Sequence, residues 1–494
     1  LSEMEFEVRE SDLLGRIGTL TVNGRKVETP CLMPVVHPVN QSVSVAEVRS
    51  AGFEALMTNS FIMYSRLKDK ALEKGVHSLL GFDGLVMTDS GGYQVLRYGS
   101  VEADHRQIAL FQSEIGSDLA VTLDRPTGYS RSRRYAEETM KYSLERAVET
   151  IGEFHGSKTT WVGPVQGGLF PDLLRRSATG LLKAGFSFLA LGSPTEVMEN
   201  YRYAELVRMI AATRGAMPYS VPLHLFGAGH TLTMALAVAL GCDTFDSASY
   251  ILFAREGRYM TEMGVHTLQQ MKHLPCSCPA CNSTSAEELK KMDPAERTRK
   301  LALHNLHALR REVQACKEAI SEGRLWDVVE QRSYAHPSLR EAFVEMSKQS
   351  SLLEAGTPHI KEKGLLLRGA EDLLRPELSI ASRRLGWAMR RRRSRALLVI
   401  PGTGEPLTGR RLAQREYRGW DVYRVHAVLG PYPVELDFVY PFTQTVGKGR
   451  IRMKEWVGRL RRMGYKSVKV LHEPPAGEEV RYRLRRRGAS PSPP

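Results

Sequence analysis

At 494 residues the chain exceeds one ordinary domain, so one large core with appended modules is expected. Its 42% hydrophobic and 25% charged residues, with no apolar run near the roughly 20 residues of a membrane helix, give a globular composition rather than a membrane-spanning one. A formal charge of +14 favours a polyanionic partner, nucleic acid before others.

Residues 1–10 are acidic and lack the basic-then-apolar layout of a signal peptide, which points to the cytoplasm. A β-hairpin is predicted over 15–27, turning at Asn23-Gly24. Short apolar runs follow at 30–36, 55–58, 85–88, 119–123, 160–165, 188–191, 223–226 and 244–245. The spacers between them carry helical signals at 44–50, 134–151, 171–184 and 231–240. Eight buried strands alternating with helices predict an α/β fold, a (β/α)₈ TIM barrel, although a doubly wound open sheet alternates in the same way. The residues closing the runs are His37, Asn59, Asp89, Asp124, Gln166, Gly192, Gly227 and Asp246. A barrel assembles its site from several such strand ends, whereas an open sheet concentrates it at one switch point.

Gln166-Gly167-Gly168 and Gly192-Ser193 suit close approach to a flat ligand, and a Gln side chain offers one donor and one acceptor edge. Asp89 and Asp124 can accept from ring N–H and amino groups, so this rim frames guanine or a relative of it. Paired carboxylates across a pocket are apparatus for glycosidic chemistry, one as nucleophile and one as acid/base. Asp246 is the expected nucleophile and Asp89 the acid/base. Asp243 competes with Asp246, but its place at the start of the strand sets it on the stability face of a barrel.

Three of the six cysteines crowd into Cys276-Ser-Cys278-Pro-Ala-Cys281, while Cys31, Cys242 and Cys316 stand alone in apolar contexts. That distribution predicts a metal site in a reducing compartment. His304, or His307 one turn along the same helix, completes a Cys₃His set, a closed structural zinc arrangement.

Beyond 337 the barrel pattern ends. Arg383, Arg384, Arg390, Arg391, Arg392, Arg393 and Arg395 surround Trp387; Arg452, Lys454, Arg459, Arg461, Arg462 and Lys466 form a second basic run, and 481–487 a third. With Tyr417, Trp420 and Trp456 interleaved, these runs predict contact with an RNA backbone. The expected layout is a barrel domain over 1–345 containing the zinc site (276–304), basic α+β modules over 346–410 and 411–487, and a Ser/Pro-rich disordered tail over 488–494.

Taken in order, Asp89-Ser-Gly-Gly-Tyr-Gln94, Gln166-Gly-Gly168, Phe226-Gly-Ala-Gly-His230, Phe245-Asp246-Ser247 and Cys-x-Cys-x₂-Cys with a distant His304-Asn305 resemble the tRNA-guanine transglycosylases. The motifs Leu225-Phe-Gly-Ala-Gly-His230 and Phe245-Asp-Ser-Ala-Ser-Tyr250 are similar to the forms found in the archaeal, archaeosine-forming branch. The likeness is dense over 5–345 and looser to about 445. It implies a zinc-containing barrel that exchanges a guanine in tRNA for a 7-deazaguanine, in the archaeal branch 7-cyano-7-deazaguanine (preQ0) at position 15 of the D-arm. By position it implies Asp246 as nucleophile, Asp89 as general acid/base, Ser90, Asp124, Gln166 and Gly192 around the base, and one structural zinc per chain on Cys276, Cys278, Cys281 and His304. A homodimer is implied as well.

Two departures stand out. Ser193-Pro194 follows Gly192 where a second glycine is expected. Archaeal members also end in a small RNA-binding PUA domain, for which a chain closing on Ser490-Pro-Ser-Pro-Pro494 leaves no room, so the expectation is that the enzyme either lacks that domain or receives it from a separate PUA protein. A non-catalytic tRNA-binding accessory subunit on the same fold is the alternative, opposed by the presence of both aspartates. An unrelated zinc hydrolase is disfavoured, because a closed Cys₃His set offers no activated water.

Overall fold

In the computed structural model, residues 4–91, 105–129, 132–389, 393–400, 417–442, 444–447 and 453–472 are described. β1 (Met4–Asp12), β2 (Gly15–Val22) and β3 (Arg25–Thr29) form an antiparallel sheet in that order. Asn23 (φ 50°) and Gly24 (φ 79°) occupy the two left-handed positions of the predicted turn, the geometry whose twist matches that of the flanking strands.

The eight apolar runs become β4 (Cys31–Pro34), β5 (Ala55–Asn59), β6 (Leu85–Asp89), β7 (Leu119–Val121), β8 (Thr160–Val165), β9 (Leu189–Leu191), β10 (Leu223–Leu225) and β11 (Thr244–Ser247). They pair in parallel in the order β4-β11-β10-β9-β8-β7-β6-β5. A further parallel bridge joins Val35 to Met57, with Val36 N donating to Met57 O at 2.8 Å, so the ends of the sheet meet. The open-sheet alternative is thereby removed and the barrel stands.

Interior side chains such as Met33, Met57, Met87, Val121, Val162 and Phe188 form one apolar cluster with Leu20, Val22 and Val27 of the first sheet. That sheet covers the N-terminal end of the barrel: Arg25 Nη1 reaches Asp118 Oδ1 at 3.0 Å, just ahead of β7. Asp243, just ahead of β11, lies at the same end, where its carboxylate accepts from Arg16 Nε at 2.9 Å and Leu223 N at 2.8 Å. A larger cluster fills the space between strands and surrounding helices. Polar strand ends are left at the opposite, C-terminal mouth.

After β11 come the helix Ser249–Arg255, a hairpin of β12 (Arg258–Thr261) and β13 (Gly264–Thr267), the three cysteines, and the helix Pro294–Ser321. Asp293 starts this long helix by accepting from Ala295 N and Glu296 N, with Pro294 at the position that needs no N–H.

Two compact units result, Leu1–Pro358 and His359–Pro494. In the second, a four-stranded sheet runs in the order Gly430–Pro433, Asp421–His426, Arg395–Ile400, Ser467–His472, and Leu365–Leu367 pairs in parallel with Thr445–Gly447. By sequence, the first unit holds 39 Lys and Arg against 42 Asp and Glu, and the second 30 against 13, so the positive excess belongs to the second. Of the aromatic residues expected to meet RNA, Trp456 is instead buried in this unit's core and Tyr417 packs edge-on against Trp420. Trp387 is 81% exposed. Arg390, Arg391, Arg392, Arg452, the run 481–487, the tail 488–494 and, in the barrel, Tyr93 and Gln94 lie outside the described residues.

Candidate active site

A cavity of about 1370 Å³ opens at the C-terminal mouth, lined by Asp89, Asp124, Gln166, Gly192 and Asp246. Five strand ends distant in sequence therefore meet in one place, with more room than the few hundred Å³ a small ligand needs.

Asp246 sits within β11, opposite Met33 of β4 and one residue short of the strand end. Its Oδ1 accepts from Gly227 N at 2.8 Å and lies 3.0 Å from His224 Nε2. His224, the middle residue of β10, is wholly buried, and its Nδ1 is 2.9 Å from Thr244 Oγ1. With Nε2 donating to the carboxylate, Nδ1 of a neutral ring is left to accept the threonine hydroxyl. Oδ1 is thus pinned by two donors, while Oδ2 has no hydrogen-bond partner among the described residues. One oxygen held and one free is the arrangement a carboxylate nucleophile requires.

Asp89 ends β6 in register with Asn59 of β5. Asn59 Oδ1 caps the helix Ser60–Leu80 by accepting from Ile62 N at 2.8 Å, and its Nδ2 lies 3.3 Å from Asp89 Oδ2. Burial, with the negative charges of Asp124 and Asp246 adding to it, pushes the Asp89 carboxyl up to about 7. Burial also raises Asp124 to about 6, against the opposing hydrogen bond from Gln166. A carboxyl that titrates near neutrality can both give and take a proton.

The loops after β7, β8 and β9 build the rest. Gln166 Nε2 donates to Asp124 Oδ2 at 2.6 Å, and its Oε1 accepts from Thr127 N, Thr127 Oγ1 and Ser193 Oγ at 3.2, 3.1 and 3.0 Å. A Cβ on Gly192 would lie 2.2 Å from Gln166 Nε2, so a side chain there would displace that amide. Ser193 has φ 60°, a left-handed conformation that costs a residue with a Cβ about 1–2 kcal/mol, which is why glycine is expected there.

Asp243 is saturated by Arg16 and Leu223 at the sealed end, and it does not line the cavity. Ser90 is buried beside Asp89 and is not among the lining residues either; its Oγ has no partner among the described residues. Sequence reasoning missed His224 and the second contact of Asn59. The available signal for His224 was an imidazole between two leucines in a strand otherwise too buried for a polar residue.

Beyond β13, the ligand atoms of Cys276, Cys278, Cys281 and His304 all lie within 4.8 Å of one another. His304 Nδ1 is 3.6 Å from Cys278 Sγ and 3.3 Å from Cys281 Sγ. Zn–S of about 2.3 Å and Zn–N of about 2.0 Å in a tetrahedron require S···N near 3.5 Å, so the set fits that ion. His304 Nε2 lies 2.8 Å from Met260 O, which leaves Nδ1 free of its proton for the metal. His307 is outside the group. Next to His304, Asn305 accepts from Met260 N at 2.9 Å and donates to Tyr250 O at 3.1 Å and Arg258 O at 3.2 Å, tying the helix Pro294–Ser321 to the segment that follows Asp246.

Comparison with known proteins gives one family. The family described as queuine tRNA-ribosyltransferase matches residues 11–338. A protein of Aeropyrum pernix named tRNA-guanine(15) transglycosylase is 43% identical over 446 residues, 89% of this chain and 87% of that protein. Proteins of the same name from Methanosarcina barkeri and Thermococcus kodakarensis are 42% and 39% identical, over 90% of this chain and 88% and 72% of theirs.

Proposed function

The chain belongs to the queuine tRNA-ribosyltransferase family, and from that premise we propose that it exchanges the guanine at position 15 of tRNA for preQ0. It is a pentosyltransferase, and Asp246 and Asp89 carry its chemistry. The observation that supports this most is the meeting of these two acids in one cavity in unequal environments, Asp246 pinned through one oxygen by His224 and Gly227, Asp89 raised to about 7.

The free oxygen of Asp246 attacks C1′ of the target ribose; an ester bond forms as the bond from C1′ to the guanine ring nitrogen breaks. Asp89, protonated, supplies the proton that the departing base takes up. The incoming deazapurine returns a proton to Asp89, its ring nitrogen bonds to C1′, and the Asp246 carboxylate is released. Asp124 and Gln166 hold the base edge. Cys276, Cys278, Cys281 and His304 would hold a zinc ion, which would supply structure rather than an activated water. The second unit, with 30 basic residues against 13 acidic, meets the tRNA backbone.

The test is release of labelled guanine from tRNA on addition of preQ0, with mapping of the exchanged position. An Asp246→Ala variant should neither release base nor form a covalent adduct with tRNA on a denaturing gel. Tight tRNA binding by the wild-type chain without release or adduct would support the accessory-subunit reading instead.

A further inference from the structure

Ser193 stands where a second glycine is expected, and three successive loops meet on its hydroxyl. Its Oγ accepts from Gly128 N at 3.1 Å in the loop after β7 and donates to Gln166 Oε1 at 3.0 Å just beyond β8, while Ser193 itself follows β9. Thr127 N and Thr127 Oγ1 donate to the same Oε1. An amide oxygen has two lone pairs, so three donors leave it no capacity for a ligand. The orientation of the amide is fixed by the same contacts: Nε2 must face the other way, where Asp124 Oδ2 takes one hydrogen at 2.6 Å. One N–H remains, on a residue that lines the cavity.

We infer that Ser193 is a specificity-determining positioning residue, which together with Thr127 holds Gln166 as a donor only and so makes the pocket demand an acceptor on the purine edge that meets it. A 6-oxopurine satisfies that demand. An amino group in its place would bring N–H against N–H and leave both unpaired. The left-handed backbone at Ser193 is retained, on this account, because the hydroxyl it carries is needed there. The inference rests on the guanine-exchange reading above.

The test uses the full chain and two probes, guanine and 2,6-diaminopurine, with dissociation constants measured by calorimetry, exchange kinetics on tRNA, and melting temperature. Ser193→Gly keeps the backbone and removes the hydroxyl. It should weaken guanine binding about tenfold, narrow the preference over diaminopurine by a similar factor, leave kcat at saturating base within about twofold, and melt no lower than wild type. Ser193→Ala should show the same loss of preference with a lower melting temperature, since it keeps the strain. Guanine affinity within twofold of wild type in Ser193→Gly, or equal loss for both purines, would overturn the role of Ser193. If wild type releases guanine from tRNA in that case, the exchange reading stands without it. If wild type neither binds guanine nor releases it, both fall together.

Discussion

His224 Nε2 stands 3.0 Å from Asp246 Oδ1 on a strand that water does not reach. Neighbouring barrel strands supply the two residues, which are in adjacent register through the pair His224 and Thr244, so the contact is as rigid as the barrel itself. Replacing the imidazole by leucine removes a donor from the carboxylate and leaves Thr244 Oγ1 without it. His224→Leu should lower the single-turnover rate about 10²-fold while the KM for tRNA stays within twofold, and His224→Gln, which keeps a donor, should recover part of the rate. An unchanged rate in His224→Leu would remove the imidazole from the chemistry.

Asp89 is the acid whose protonation the fold favours, at about 7 against an unfolded value near 3.9. Between those values the folded chain binds more protons than the unfolded one, so this group's contribution to stability is present at acid pH and lost as pH rises through 7. Asp89→Asn should therefore raise the melting temperature at pH 8 by about 2–4 °C, change it little at pH 4, and cost about 10²–10⁴-fold in exchange rate. Parallel melts at the two pH values decide it.

Metal analysis of the purified chain should return one zinc per chain. Cys281→Ala should lose the metal, lower the melting temperature by about 5 °C or more, and open the segment 276–282 to protease, because an ion on this set would tie that segment to the helix Pro294–Ser321. Exchange activity should fall with the fold rather than through any change in the acid/base profile.

Binding to tRNA should weaken at least about tenfold between 50 and 200 mM salt, reflecting counterion release by the basic second unit. Truncation of the exposed ring in Trp387→Ala should weaken binding with no change in that salt slope, since an indole stacks rather than pairs charges. A flat salt response would take the electrostatic role away.

The barrel was legible because each of its strands is buried on both faces, which writes a continuous apolar run bounded by a polar residue. The strand-end aspartates and Gln166 could be read for the same reason, and the Asn23-Gly24 turn because few other dipeptides accept two left-handed positions. His224 could not, since a histidine in an apolar strand reads as a core residue until the neighbour across the sheet is known. Nor could Trp456: the helix Met453–Arg462 is so rich in arginine that its ring reads as an RNA contact, yet the one apolar stripe of the helix, Trp456 with Leu460, turns inward. Ser193 read as a missing glycine, and its hydrogen bonds are visible only when three loops are brought together.

With Leu20, Val22 and Val27 packed into the floor of the barrel, the cavity at its mouth is a blind alley. On the proposed exchange, arrival and departure would share one doorway, so the outgoing base would have to clear it before its replacement steps in, with the ribose tethered meanwhile. If the exchange proposed above runs in it, initial rates with both substrates varied should give parallel lines in a reciprocal plot, and intersecting lines would count against a covalent intermediate.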